Sequence, residues 1–113
     1  MERVYESMMI LVPDIDEESR QEACDKISKK IEQLAGKVMS SRVWAKERNF
    51  NFIIRSRAAG KKKYERGTYW LILFSLDTAE LPALKETIRL EERILRHIIT
   101  RKEKHQLAGT SAQ

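Results

Sequence analysis

A run of twelve residues, Arg55 to Arg66 (RSRAAGKKKYER), carries six bases and one acid, a net +5 that equals the whole chain's formal excess. Charge needed only for solubility tends to be spread, whereas an element that contacts phosphates concentrates it, each neutralised phosphate releasing a counterion. Arg55, Arg57, Lys61, Lys62, Lys63 and Arg66 are therefore candidate nucleic-acid contacts, with Gly60 as a bend and Tyr64 beside the lysines. A solvated basic loop is the plainer alternative. Such an arm would read RNA shape rather than sequence.

A second set lies in Trp44-Ala45-Lys46-Glu47-Arg48, followed by Asn49-Phe50-Asn51-Phe52. Under strict alternation Lys46 and Arg48 share a strand face and could reach one phosphate backbone, while Phe50 and Phe52 point into the core. Arg66-Gly67-Thr68-Tyr69-Trp70 echoes the strand motif by which RNA-recognition domains stack bases, but Thr68 stands where an aromatic is wanted. A single-strand RNA binder of that type would use the rings of Tyr5 and Trp70.

Catalysis finds little to use. His97 falls on a strand and His105 in a polar tail, so they form no evident pair. Cys24, the one cysteine, lies beside a helical apolar stripe and reads as a packing residue, with no disulfide or zinc cluster possible. Asp14, Asp16, Glu17 and Glu18 could mimic a metal site, but helix capping accounts for them, with Asp14 and Glu17 at capping-box spacing. No cofactor motif or phosphate-cradling glycine loop is present. No apolar run approaches the roughly 20 residues of a membrane helix, and the start lacks a signal-peptide pattern. A cytosolic protein, bacterial or in an organelle, is expected.

The elements that must position these groups follow from periodicity. Val4 to Val12 is an apolar β run that Pro13 ends. Ala23, Ile27, Ile31 and Leu34 recur at helical spacing, with Gly36 as the C′ residue. Lys37 to Ile54 is a long strand, irregular around Lys46 to Asn49. A polar connection, Arg55 to Gly67, leads to a strand at Thr68 to Leu76, making a long hairpin with a mobile tip. A second helix starts at Asp77 and Thr78, tolerates Pro82 in its first turn and buries Leu81, Leu84 and Ile88. Ile94 to Thr100 is the last strand, and a polar tail follows. The β-α-β-β-α-β order predicts an α+β, ferredoxin-like domain over residues 1–103, a four-stranded antiparallel sheet with both helices on one face. Residues 104–113 are expected to be disordered. That plan serves many functions, including enzymes with a closed apolar pocket over the free sheet face.

Five stretches in this order resemble the bacterial small-subunit ribosomal protein S6 family: Arg3-Val4-Tyr5-Glu6 (R-x-Y-E), Pro13 to Glu18 (its acidic turn), Trp44 to Arg48 (W-G-x-R), Gly67-Thr68-Tyr69 (G-x-Y) and Arg89 to Arg96 (R-L-x-E-x-V-L-R). Ala45 departs from the usual glycine, and one residue is added between Trp44 and Phe52. The family's L-A-Y-P-I reads Phe50 to Ile54 without its proline, and the hairpin is longer and more basic. The resemblance implies a non-catalytic protein that binds the central domain of 16S ribosomal RNA together with ribosomal protein S18, without cofactor or small-molecule substrate. By matched position it makes Arg3, Tyr5, Lys46, Arg48, Arg89 and Arg96 candidates for RNA or partner contact. Arg3 and Arg96 are expected side by side on paired strands, and Arg89 can equally serve as a helix C-terminal cation. The partner's docking surface is expected on an exposed sheet face or edge strand.

Overall fold

The computed structural model describes residues 1–55 and 62–102. Four strands, β1 (Glu2–Leu11), β2 (Lys37–Arg55), β3 (Lys63–Asp77) and β4 (Ile94–Lys102), form one antiparallel sheet in the order β2-β3-β1-β4. Helices α1 (Glu17–Gln33) and α2 (Leu81–Leu90) cover one face. The expected ferredoxin-like architecture is the one observed. β3 begins at Lys63, so the hairpin strands run further than the sequence suggests.

Strand alternation builds the core. Tyr5, Met9 and Leu11 of β1 and Trp70, Ile72, Phe74 and Leu76 of β3 face the helices and are buried. Ala23, Ile27 and Ile31 from α1 and Leu84 and Ile88 from α2 meet them. Cys24 belongs to this core, and burial pushes its thiol up to about 12, so it stays protonated.

The helix ends differ from expectation in two places. Asp16, not Asp14, caps α1, its carboxylate accepting the Ser19 N–H at 2.7 Å. At the other end the left-handed residue is Ala35, φ 66°, not Gly36. Ala35 N–H donates to Glu32 O at 3.0 Å and Gly36 N–H to Ile31 O at 2.8 Å, the two bonds of a Schellman ending. Gly36 is required for a different reason: a Cβ there would stand 2.6 Å from Ser75 O. A 3-10 turn, Thr78–Glu80, precedes α2, with Pro82 in the helix's first turn as expected.

A smaller core lies beyond the helices. Val12, Ile54 and Leu95 are buried together, flanked by Ile10, Ile15, Phe50 and Tyr64. It seats the distal part of the β2–β3 hairpin against the β1–α1 turn.

Candidate nucleic-acid and partner interface

The irregular part of β2 decides which side chains share a surface. Its pairing with β3 slips between Val43 and Ala45, between Ala45 and Arg48, and between Asn49 and Ile54. Glu47 sits at φ 45°, and its N–H donates to the buried Thr68 hydroxyl at 3.4 Å. Thr68 therefore occupies the place of an aromatic because the bulged backbone needs an acceptor there.

The bulge overturns the expectation that Lys46 and Arg48 share a face. Lys46 turns to the helical side, its Nζ 3.1 Å from Glu17 Oε1. Arg48 lies on the uncovered face, its guanidinium 5.3 Å from the centre of the Trp44 ring. Strict alternation fails because the extra residue at the bulge advances one strand past the other.

The uncovered face carries a connected row of rings. Trp44 meets Tyr69 edge-on at 5.4 Å, Tyr69 meets Phe50 at 6.2 Å, and Phe50 stacks on Phe52 at 5.7 Å. Arg96 closes the row, 5.7 Å over Phe52. Phe52 was expected in the core and is instead 53% exposed; Trp44 is 49% and Ile98 61% exposed. Met8, Ile10, Phe52, Tyr69, Arg96 and Ile98 line an open depression of about 370 Å³ on this face. It is open to solvent and not a closed substrate pocket.

Two expected residues leave the interface. Tyr5 is 5% exposed, packs on Phe74 at 5.7 Å and shares its hydroxyl with Thr78 at 3.2 Å. Trp70 is buried beneath the helices and donates its indole N–H to Ser41 at 2.8 Å. Neither ring can stack a base, because both fall on the helix-facing side of the alternation.

Arg3 and Arg96 are also not neighbours. β1 and β4 run antiparallel with Ile10 opposite Arg96 and Val4 opposite Lys102. Arg3 thus lies seven positions along β1 from Arg96's partner, roughly 23 Å away along the strand. Arg89, in the last turn of α2, holds Glu86 through two hydrogen bonds, Nε at 3.0 Å and Nη2 at 2.5 Å.

In the hairpin, Arg55 stands directly opposite Lys63, and Arg66 opposite Asn49, all four exposed. Like charges in register are unfavourable without a counter-anion. Lys62 donates to Asp14, and Tyr64 donates to both oxygens of that carboxylate. Asp14's carboxyl is held below its usual range by the Lys62 hydrogen bond, and Lys62 is raised in turn. Arg57 and Lys61 lie outside the described residues, as do the expected tail and His105. Among the described residues no group of three or more His, Cys, Asp and Glu could hold a metal, and no helix is long and apolar enough to cross a membrane.

A ferredoxin-like domain with an open aromatic and cationic sheet face, a basic hairpin and a protonated, buried thiol has the make-up of a structural RNA-associated protein. The comparisons with known proteins make the class specific. The sequence model for ribosomal protein S6 matches residues 4–101. Small ribosomal subunit protein bS6 of Dictyoglomus turgidum is 31% identical over 104 residues, 92% of this chain and 99% of that protein. Its counterpart in Clostridium kluyveri is 32% identical over 100 residues, 88% of this chain and 97% of its own length. The crystal structure of 30S ribosomal protein S6 from Thermotoga maritima superposes with a TM-score of 0.78 at 30% identity, covering 100% of this chain and 99% of that one. The chain belongs to the ribosomal protein S6 family, whose members are non-catalytic constituents of the small ribosomal subunit.

The uncovered aromatics were the main omission from the sequence-derived site. The sequence places Trp44, Phe52 and Tyr69 as core or motif residues, yet all three lie on the open face. The alternation of β3 carried the signal for Tyr69, since Trp70 and Ile72 take the helical side. For Trp44 and Phe52 the bulges erased it.

Proposed function

We propose that this protein binds the central domain of 16S ribosomal RNA together with ribosomal protein S18, supporting small-subunit assembly. The observation that carries the reading is the division of the surface into two unlike parts. The sheet face offers half-exposed rings, each terminal one capped by an arginine, the make-up of a protein-docking patch with aromatic and Arg anchors. The hairpin offers exposed cations held in register, the make-up of a phosphate contact. S18 docks on the sheet face through Trp44, Arg48, Phe52 and Arg96, and the RNA backbone meets Arg55, Lys62, Lys63 and Arg66. Arg57 and Lys61 extend that contact by their place in the same basic run.

Co-sedimentation tests the reading directly. The protein is expected in the small-subunit fraction after a moderate salt wash, and recovery only in the soluble fraction would sink it. Binding of purified protein to a central-domain RNA fragment should tighten when S18 is added. Unchanged affinity would separate the RNA role from the S18 partnership.

A further inference from the structure

The distal end of the hairpin already holds an anion, and that anion belongs to the chain itself. Asp14 Oδ2 accepts from Lys62 Nζ at 2.5 Å, and the Tyr64 hydroxyl lies 3.3 and 3.2 Å from the two carboxylate oxygens. The Lys62 ammonium also lies 5.4 Å from the Tyr64 ring centre. Three bases, Lys62, Lys63 and Arg66, and two carboxylates, Asp14 and Glu65, line with Tyr64 a groove of about 450 Å³ open to solvent. Tyr64 and Arg66 fall on one face of β3, two residues apart. Beneath this part of the hairpin Ile54, opposite Tyr64, is buried with Val12 and Leu95, and Tyr64 packs against that cluster.

We propose that this groove is a seat for a backbone phosphate of RNA, and that Asp14 occupies it in the free protein as an internal stand-in for that phosphate. The inference rests on the ribosomal RNA reading above and deepens it. A phosphodiester offers the same feature that Lys62 and Tyr64 now grip, two oxygens sharing one negative charge. Arg66, which also lines the groove, supplies a fork suited to a phosphate. The Arg55 and Lys63 pair continues the cations along the hairpin, which suits a chain of phosphates better than a single carboxylate. Displacing Asp14 costs little, since both partners of the ion pair are substantially exposed, 64% and 43%. Internal occupation also keeps Lys62 and Tyr64 oriented before RNA arrives.

The test is a double-mutant cycle on the full chain, titrated with a central-domain 16S RNA fragment at several salt concentrations. Asp14→Asn is expected to tighten binding about two- to fivefold, the range for an exposed ion pair that no longer has to be broken. Lys62→Ala is expected to weaken binding and lower the salt slope by about one. In the Lys62→Ala background the gain from Asp14→Asn should vanish. Glu32→Gln, exposed near the end of α1, raises net charge equally and controls for long-range attraction. A gain from Asp14→Asn that persists without Lys62, that Glu32→Gln reproduces, or that never appears overturns the proposal. If the unaltered chain fails to bind the fragment at all, the ribosomal RNA reading itself falls, a result distinct from those three.

Discussion

The two faces of this sheet are written in the same strands, one residue apart, and they do opposite work. On β3, Trp70, Ile72, Phe74 and Leu76 are buried under the helices, while Tyr69 between them opens to the other side. On β1, Met9 is fully buried and its neighbour Met8 lines the open depression. The covered face holds the fold through shape-matched packing, in which every methylene counts. The open face keeps rings half-exposed, at a cost in apolar surface left in water, so that a partner can cover them. A family member can therefore vary one set without disturbing the other, provided the register holds.

The sharpest contrast comes from emptying the covered face. Phe74→Ala should cost about 3–5 kcal/mol, since the ring is fully buried between Tyr5 and the helices. Urea denaturation would show it as a lower midpoint at unchanged slope. A loss below 1 kcal/mol would mean that the two faces share the load.

A smaller loss is expected at the seam between α1 and the α2–β4 turn. Glu91 is buried and accepts three hydrogen bonds from Arg93, 2.8 Å from Nε, 3.1 Å from Nη2 and 3.2 Å from the backbone N–H, while Arg93 reaches the Ser19 carbonyl and Glu22 on α1. The Arg93 guanidinium keeps the Glu91 carboxyl below the ordinary glutamate range. A depressed folded-state value means the stabilisation is complete above the unfolded value of about 4.5 and disappears as pH falls through the folded one. Glu91→Gln should cost about 2 kcal/mol at neutral pH. The difference from the parent should shrink as the pH is lowered from about 5 towards 3. A gap that stays constant over that range would remove the ion pair as its cause.

The next change should stabilise. Ala35 holds a left-handed conformation, φ 66°, on an exposed turn. Ala35→Gly removes that strain and should add up to about 1 kcal/mol, reduced by the greater freedom glycine has when unfolded. Thermal unfolding would read it as a rise of a few degrees. Gly36→Ala, one residue on, should go the other way, because its Cβ meets the Ser75 carbonyl rather than open space.

What could be read from the residues follows the same division. The covered face was legible because periods of two and 3.6 marked the strands and put Ile27, Leu84 and Ile88 where packing demands apolar groups, whereas Tyr5, expected at the interface, belongs to the core. The element order, and with it the ferredoxin-like plan, came from those periods. The interface was legible only in composition. Lys62 looked free because its partner, Asp14, is remote in sequence and was assigned to the helix cap that Asp16 provides. Phe52 looked buried, and Lys46 looked paired with Arg48, because alternation was carried through a bulge that turns on Glu47. Arg3 and Arg96 were placed together without the register, which only the folded sheet supplies.

The smallest expected effect on stability is also the one that separates the faces most cleanly. Trp44→Ala and Phe52→Ala remove half-exposed rings whose contacts are with other surface groups, Tyr69, Phe50, Arg48 and Arg96. Each should change unfolding free energy by no more than about 1 kcal/mol, because half of the ring's area already lies in water. If the open face receives S18, the same substitutions should weaken that association by about 2 kcal/mol each, the cost of losing an aromatic anchor. Isothermal titration with S18 reads the second number and urea denaturation the first. Equal losses in both would make the open aromatics ordinary packing residues. A loss confined to association assigns recognition to the open face and stability to the covered one, with the β2 bulge as the device that moved Phe52 from one to the other.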